Sequence, residues 1–223
     1  DNKPRDDVYQ PGSGSNRTLP ELSNVNKHGV TMIQIQHLKI GREHPPAIIA
    51  EIGINHNGNY NKAEEMLKQA ALHGADIVKF QTHFTDLEML PDHDGSHASY
   101  IGGSFYQLLK GCELLKRDYQ ELKGLADDWG VVFMSTGFCF EAVDFLDRLG
   151  VPAFKLGSGE LTNTPLQIHV AKKGKPMIIS TGMSRVEEVQ QTLDLIRPIN
   201  HNLILMNCSS AYPATPTETR LPR

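Results

Sequence analysis

The sequence is short of cysteine, of long apolar runs and of surplus charge. Its three cysteines, Cys112, Cys139 and Cys208, are an odd number, widely spaced, with no CxxC. That excludes a disulfide framework and points to buried or incidental thiols in a reducing, cytoplasmic compartment. No apolar run approaches the roughly 20 residues of a membrane span. The N-terminus is polar and acidic rather than basic and then apolar, so no secretory signal is visible. A formal net charge of -4 gives no electrostatic case for nucleic acid or an anionic membrane. There is no GxxxxGK[ST], no GxGxxG after the first predicted strand, no HExxH and no evident Ser/His/Asp triad.

What is present is ordinary for a globular chain of 223 residues, 39% hydrophobic and 22% charged. Residues 1–30 are rich in Asn, Asp, Ser, Pro and Gly and read as a mobile leader. Residues 31–223 read as the folded domain. Met32 to Ile40 alternates and predicts a short hairpin. From Ala47 the pattern turns regular. A short apolar run, Ala47 to Ala50, ends at Glu51. A helix follows over Asn61 to Gly74, with Ala63, Met66, Leu67, Ala70 and Ala71 on one face. Ala75 to Phe80 is the next strand, ending among Lys79, Gln81, Thr82 and His83. Phe84 to Ser104 breaks the rhythm and reads as an insertion or lid. A helix with Tyr119, Leu122, Leu125, Ala126 and Trp129 on one face resumes it.

The unit then repeats. Val131 to Met134 leads to Ser135 and Thr136, and a helix over Phe140 to Leu149 stops at Gly150. Val151 to Leu156 is a strand, and a helix over Pro165 to Lys173 follows. Pro176 to Ile179 leads to Ser180. Ser184 and Glu187 form a capping box for a helix that buries Val186, Val189 and Leu193. Leu203 to Met206 leads to Asn207. Six apolar strands alternating with helices imply a parallel sheet with helical crossovers. Without a nucleotide-binding glycine motif, a (β/α)8 TIM-type barrel is favoured over a doubly wound sheet. It would stop after about six of its eight β/α units.

Polar residues follow every strand, at the end where parallel α/β folds carry function. Glu51, Lys79, Gln81, Thr82, Thr136, Lys155, Ser158, Glu160, Ser180, Asn207, Ser210 and Tyr212 gather at that rim. The densest stretch is Phe154-Lys155-Leu156-Gly157-Ser158-Gly159-Glu160. A cation, a hydroxyl and open backbone N–H groups suit an anion. A following carboxylate suits a polyhydroxylated second reactant. The plainer reading is a solvated Lys–Glu pair at a strand end before a flexible turn. His56 and His83 also stand at strand ends, but two histidines without a third ligand are a weak metal signal.

Five segments carry a resemblance when taken in order. They are Glu51-Ile-Gly-Ile-Asn-His-Asn-Gly58, Lys79-Phe-Gln-Thr-His83, Lys155-Leu-Gly-Ser-Gly-Glu160, Ser180-Thr-Gly-Met183 and Cys208-Ser-Ser-Ala-Tyr-Pro213. From Ala47 to about Pro216 the chain resembles the N-acetylneuraminate (sialic acid) synthase family. The resemblance implies a barrel that condenses phosphoenolpyruvate with N-acetylmannosamine, or a related N-acyl amino sugar, and releases phosphate. It implies that Lys79, Thr136, Lys155, Ser158, Ser180, Ser210 and Tyr212 surround phosphoenolpyruvate. Glu160 and Tyr212 would meet the sugar, and Glu51 would be the catalytic carboxylate beside the reacting carbons and the water.

The resemblance also implies a divalent metal, Mn or Mg, held by histidines on later strands that lie beyond this sequence. No metal ligand is therefore assigned here. A C-terminal domain that closes the partner's site in a homodimer is likewise beyond it. On that ground the 223 residues alone are expected to lack synthase activity. Ser209 and Ser210 stand where relatives often carry Asn or Thr. The alternatives are a non-catalytic barrel fragment and a synthase for another ulosonic acid, such as legionaminic or pseudaminic acid.

Overall fold

The computed structural model describes residues 32–91, 97–98, 103–211 and 213–219. The expected leader, residues 1–30, lies outside the described residues, and so does Tyr212. The chain opens with a hairpin, β1 (Met32–Ile35) and β2 (Leu38–Gly41), as the alternation predicts. Then come β3 (Ile49–Gly53), α1 (Tyr60–Leu72) and β4 (Ile77–Thr82). The expected insertion begins with a short helix, α2 (Thr85–Glu88), and contains the two-residue strands β5 (His97–Ala98) and β6 (Gly103–Ser104). α3 (Phe105–Cys112), α4 (Lys116–Asp128), β7 (Val132–Gly137) and α5 (Phe140–Leu149) follow. The chain continues through β8 (Phe154–Leu156), a single 3-10 turn (Ser158–Glu160) and α6 (Thr164–Ala171). It then runs through β9 (Met177–Ser180), α7 (Val186–Ile196) and β10 (Leu203–Met206).

Six strands form one parallel sheet in the order β10-β9-β8-β7-β4-β3, curled into a half-barrel. Every helical crossover therefore joins strands that are immediate neighbours in the sheet, as simple βαβ units do. Among the described residues β3 and β10 are the edges.

Period-two alternation splits each strand between two cores. Val78, Phe80, Phe133, Phe154, Leu156, Met177 and Ile179 face the helices and pack with Leu67, Leu122, Val143, Leu146 and Val170. Ile77, Val132, Met134, Ala153 and Ile178 face the other way, with Ile49 and Ile204 packed against them. Ile33 and Ile35 of the β1–β2 hairpin join this inner layer. The hairpin thus supplies the apolar floor beneath the concave face.

The helices follow their sequence signals with three shifts. α5 spans the expected residues and ends at Gly150, whose φ of 80° is the left-handed cap that glycine adopts without strain. In α7 the capping carboxylate is Glu188, not Glu187. It accepts the Arg185 N–H at 2.7 Å, so the helix starts later than the Ser184 box predicts. Its buried stripe moves accordingly to Thr192, Leu193 and Ile196, and Val186 is 56% exposed. Trp129, placed by periodicity on the buried face of α4, is 41% exposed. It is the C-cap residue, where the chain leaves the helix to turn into β7.

Candidate active site

The site is the next layer up on the concave face. Two residues beyond each inner apolar side chain, alternation returns a side chain to the same face. Ile49 is followed by Glu51, Ile77 by Lys79, Met134 by Thr136, Ala153 by Lys155 and Ile178 by Ser180. Strand pairing holds these positions side by side, with Glu51 opposite Lys79 and Thr136 opposite Lys155. Glu51, Lys79, Thr136 and Lys155 are therefore inside their strands or at their last residues, not in loops beyond them.

The two lysines are buried, at 5% and 8% exposure. Lys79 Nζ forms an ion pair with the half-exposed Glu51 carboxylate and donates to Thr136 Oγ1 at 3.3 Å. Lys155 Nζ donates to Ser180 Oγ at 2.6 Å and to the Leu156 carbonyl at 2.7 Å. Burial, and secondarily the charge of Lys79, lowers Lys155 to about 8. Desolvation acts this way because it penalises the charged form. A buried ammonium so placed is under-compensated, and an incoming anion would relieve it.

Ser158 and Ser210 complete one side. Ser158 Oγ accepts the Gly182 N–H at 3.0 Å. A β-carbon on Gly182 would lie 2.6 Å from Ser210 Oγ and 2.8 Å from Ser158 Oγ, so glycine leaves both hydroxyls where they stand. A cavity of about 540 Å³ opens there, lined by Met183, Asn207 to Ala211, Glu218 and Thr219. The structure thus brings together Glu51, Lys79, Thr136, Lys155 and Ser180 on the sheet, with Ser158 and Ser210 beside them.

Glu160 sits apart, on a second cavity of about 440 Å³ with Ile54, Gln81, His83, Glu88, Met89, Phe105, Leu109, Phe138. Its carboxylate accepts from Asn163 Nδ2 at 2.6 Å. Glu160, expected to meet the second reactant, thus lines this more apolar hollow rather than the layer of the two lysines.

Some rim residues are placed otherwise than expected. Thr82 shares the helix-facing side with Phe80, and its hydroxyl bonds to Ser135 Oγ at 2.7 Å. Asn207 donates to the Thr219 carbonyl at 2.8 Å. His56 is fully buried, its Nδ1 accepts the Gly58 N–H at 3.1 Å, and burial lowers its pKa. Both ring nitrogens of His83 are engaged, one by Glu88 and the other by Gln81. Among the described residues no group of three or more His, Cys, Asp or Glu is arranged to hold a metal ion. Burial pushes the Cys139 thiol up to about 11 and raises Cys112 as well, which removes both as nucleophiles near neutral pH. Glu88 was missed by the sequence reading. It lies in the segment taken as a lid, and no periodicity marks its side chain as buried.

Residues 66–223 match the NeuB family. The chain belongs to the NeuB family. It is 41% identical over 185 residues to N,N'-diacetyllegionaminic acid synthase from Legionella pneumophila, which covers 78% of this chain and 51% of that protein. It is 36% identical over 187 residues to human N-acetylneuraminate-9-phosphate synthase, covering 82% and 52%. This NeuB chain thus spans about half the length of the curated relatives it matches. Among solved structures it resembles N-acetylneuraminic acid synthetase from Leptospira borgpetersenii in complex with citrate. That likeness has a TM-score of 0.75 at 27% identity and covers 85% of this chain and 63% of that one. Bacillus subtilis spore coat polysaccharide biosynthesis protein SpsE gives a TM-score of 0.70 at 32% identity, covering 83% and 50%. Four of the five ordered segments that carry the resemblance, from Lys79 onward, lie within the residues matched to the NeuB family.

Proposed function

We propose that this chain carries the phosphoenolpyruvate side of a synthase that joins phosphoenolpyruvate to an N-acyl amino sugar and releases phosphate. The observation that carries the reading is the pair of buried ammonium groups, Lys79 and Lys155, in one layer with the hydroxyls of Thr136 and Ser180. Two fixed cations and oriented hydroxyls match a small molecule bearing both phosphate and carboxylate. Ser158 and Ser210, and Tyr212 by the resemblance, extend the same cradle. The related names, legionaminic, neuraminic and pseudaminic acid synthases, agree on the reaction class and divide on the sugar.

In this reading C3 of phosphoenolpyruvate attacks the aldehyde carbon of the open-chain sugar and forms the new C–C bond. The cation left at C2 takes up water, and C–O cleavage then expels phosphate. The proton that water gives up balances the one taken by the aldehyde oxygen as it becomes an alcohol. Glu51 would orient that water and receive its proton, and its half-exposed carboxylate beside Lys79 supports the role. Glu160 and the cavity around it would hold the sugar. The divalent metal implied by the resemblance has no ligand set among the described residues. The fold proposed for the active form is the closed eight-stranded barrel. The two open edges, β3 and β10, and the partly exposed Leu205 and Met206 support further strands pairing there.

The experiment is calorimetric titration of phosphoenolpyruvate into this chain, followed by phosphate release from the active protein that carries it, with N-acetylmannosamine, its 6-phosphate and a diacetamido sugar. Binding that weakens in Lys155→Ala, with release by the active protein dependent on one of the sugars, is expected. No phosphoenolpyruvate binding by the parent chain overturns the reading.

A further inference from the structure

The turn after β8 presents one residue to each cavity's side, and two buried side chains fasten it from behind. Ser158 opens the turn and accepts the Gly182 N–H beside the lysine layer. Glu160 closes it and lines the second cavity. Gln167 of α6 donates its side-chain N–H to the Glu160 carbonyl at 2.8 Å. Thr192 of α7 donates its hydroxyl to the Leu161 carbonyl at 2.9 Å. A backbone carbonyl only accepts, so both donor assignments follow from the chemistry. The proposed reaction uses neither residue.

Packing alone does not account for these two polar groups. Gln167 is fully buried in the apolar stripe of α6, with Leu166, Val170 and Ala171. Its Oε1 is buried without a hydrogen-bond partner among the described residues. An amide with an unmet oxygen costs stability in such a place, and an unbranched apolar side chain of similar length does not. The Glu160 carbonyl already accepts the Asn163 N–H at 3.1 Å, so it does not need the amide to be satisfied. What Gln167 adds is a tether from α6. Thr192 lies in the buried stripe of α7 with Leu193 and Ile196, and adds a second tether one residue further along the turn. Helices from two successive β/α units thus hold the same short turn.

We propose that Gln167 and Thr192 are positioning residues that fix residues 158–161, and so fix where Glu160 stands in the second cavity relative to the lysine layer. This rests on the synthase reading above. Lys79, Thr136, Lys155 and Ser180 belong to strands and keep their places without the turn. Ser158 and Glu160 belong to the turn and have only its backbone to place them. A reaction between two bound molecules depends on their relative geometry, so slack in this turn falls on the second reactant and on turnover.

The test uses Gln167→Met, Thr192→Val and Thr192→Ser in the active protein that carries this chain. Gln167→Met keeps the length and removes the tether. Its urea midpoint should equal or exceed the parent's, because an incompletely bonded amide leaves the core. Its kcat/KM for the amino sugar should nevertheless fall about tenfold, the size expected for one lost hydrogen bond. The KM for phosphoenolpyruvate should stay within about twofold, because the two lysines stand on the sheet. Thr192→Val should show the same split between the two substrates, and Thr192→Ser, which keeps the hydroxyl, should recover it. Sugar kinetics that stay at the parent values in Gln167→Met and Thr192→Val overturn the proposal. So does a loss of activity that only tracks a lowered urea midpoint, or one that Thr192→Ser does not recover. Amide hydrogen exchange gives a reading free of activity. The Leu161 and Asn163 amides, which bond to the Ser158 and Glu160 carbonyls, should exchange about tenfold faster in Gln167→Met and Thr192→Val, while those of β9 keep their protection. Unchanged exchange overturns the tether even if the synthase reading stands. A parent that releases no phosphate with any sugar, yet loses protection at the turn in these variants, supports the tether and removes the synthase reading.

Discussion

Lys155 and Lys79 repel each other inside one buried layer. Burial is the larger cause and the Lys79 charge the second in bringing Lys155 down to about 8, while Cys208 and Glu51 oppose the shift. The Glu51 carboxylate pairs with Lys79 and leaves Lys155 with hydroxyl and carbonyl partners. The layer thus holds an unmet demand for negative charge, which an anion would answer.

Anion affinity should therefore fall as pH rises through about 8, where free Lys155 loses its proton. Above that pH, phosphoenolpyruvate binding should take up a proton, because the bound anion restores the ammonium form. Calorimetry in buffers of different ionisation enthalpy measures the uptake. Flat affinity across this range would remove Lys155 from the anion site.

The same shift has a sign for stability. The folded pKa of Lys155 is about 8 and the unfolded value about 10.4, so between them the unfolded chain holds more protons. Stability from this group therefore rises with pH across that window, and below it the full penalty of the buried charge applies. Lys155→Met should be more stable than the parent near neutral pH, by on the order of 1–3 kcal/mol. Its advantage should shrink as pH climbs toward the unfolded pKa. Urea midpoints for the two proteins, compared at each pH, check both the sign and the window.

Lys155→Ala should weaken phosphoenolpyruvate by roughly tenfold to a hundredfold, the loss of one charge-assisted contact of about 1.5–3 kcal/mol. Unchanged affinity in a titration of the alanine variant would contradict the cradle.

Glu51→Gln should leave phosphoenolpyruvate affinity near the parent value and cut turnover by about 10²–10⁴, the usual contribution of a general base. The amide keeps the shape beside Lys79 and loses the ability to take a proton. Turnover within a few-fold of the parent would make Glu51 a partner of Lys79 alone.

Gly182→Ala should damage the anion site while leaving the fold. Its β-carbon would press on Ser210 Oγ and Ser158 Oγ at 2.6 and 2.8 Å, distances at which these hydroxyls must shift from their positions. The hydroxyls belong to exposed-side segments rather than the core, so the urea midpoint should shift little and phosphoenolpyruvate affinity should fall. The reverse pattern would show that the close approach serves packing.

The sequence by itself determined the alternation of strands and helices, the polar ends of the strands and the family to which the five segments belong. Those features are local: runs of apolar residues, a 3.6-residue stripe in α1, a glycine where α5 must stop. Tertiary structure decided which face each polar residue takes. Thr82 and Gln81 are adjacent at one strand end, yet Thr82 goes to Ser135 beneath the helices and Gln81 goes to the cavity. That choice depends on which of two cores the strand's odd and even positions meet, and Ile33 and Ile35 of the β1–β2 hairpin pack into the second of them. The exposure of Trp129 and the burial of Glu88 have the same origin. A helix cap turns one out to solvent, and a neighbouring histidine draws the other in, through contacts that neither residue's local sequence records.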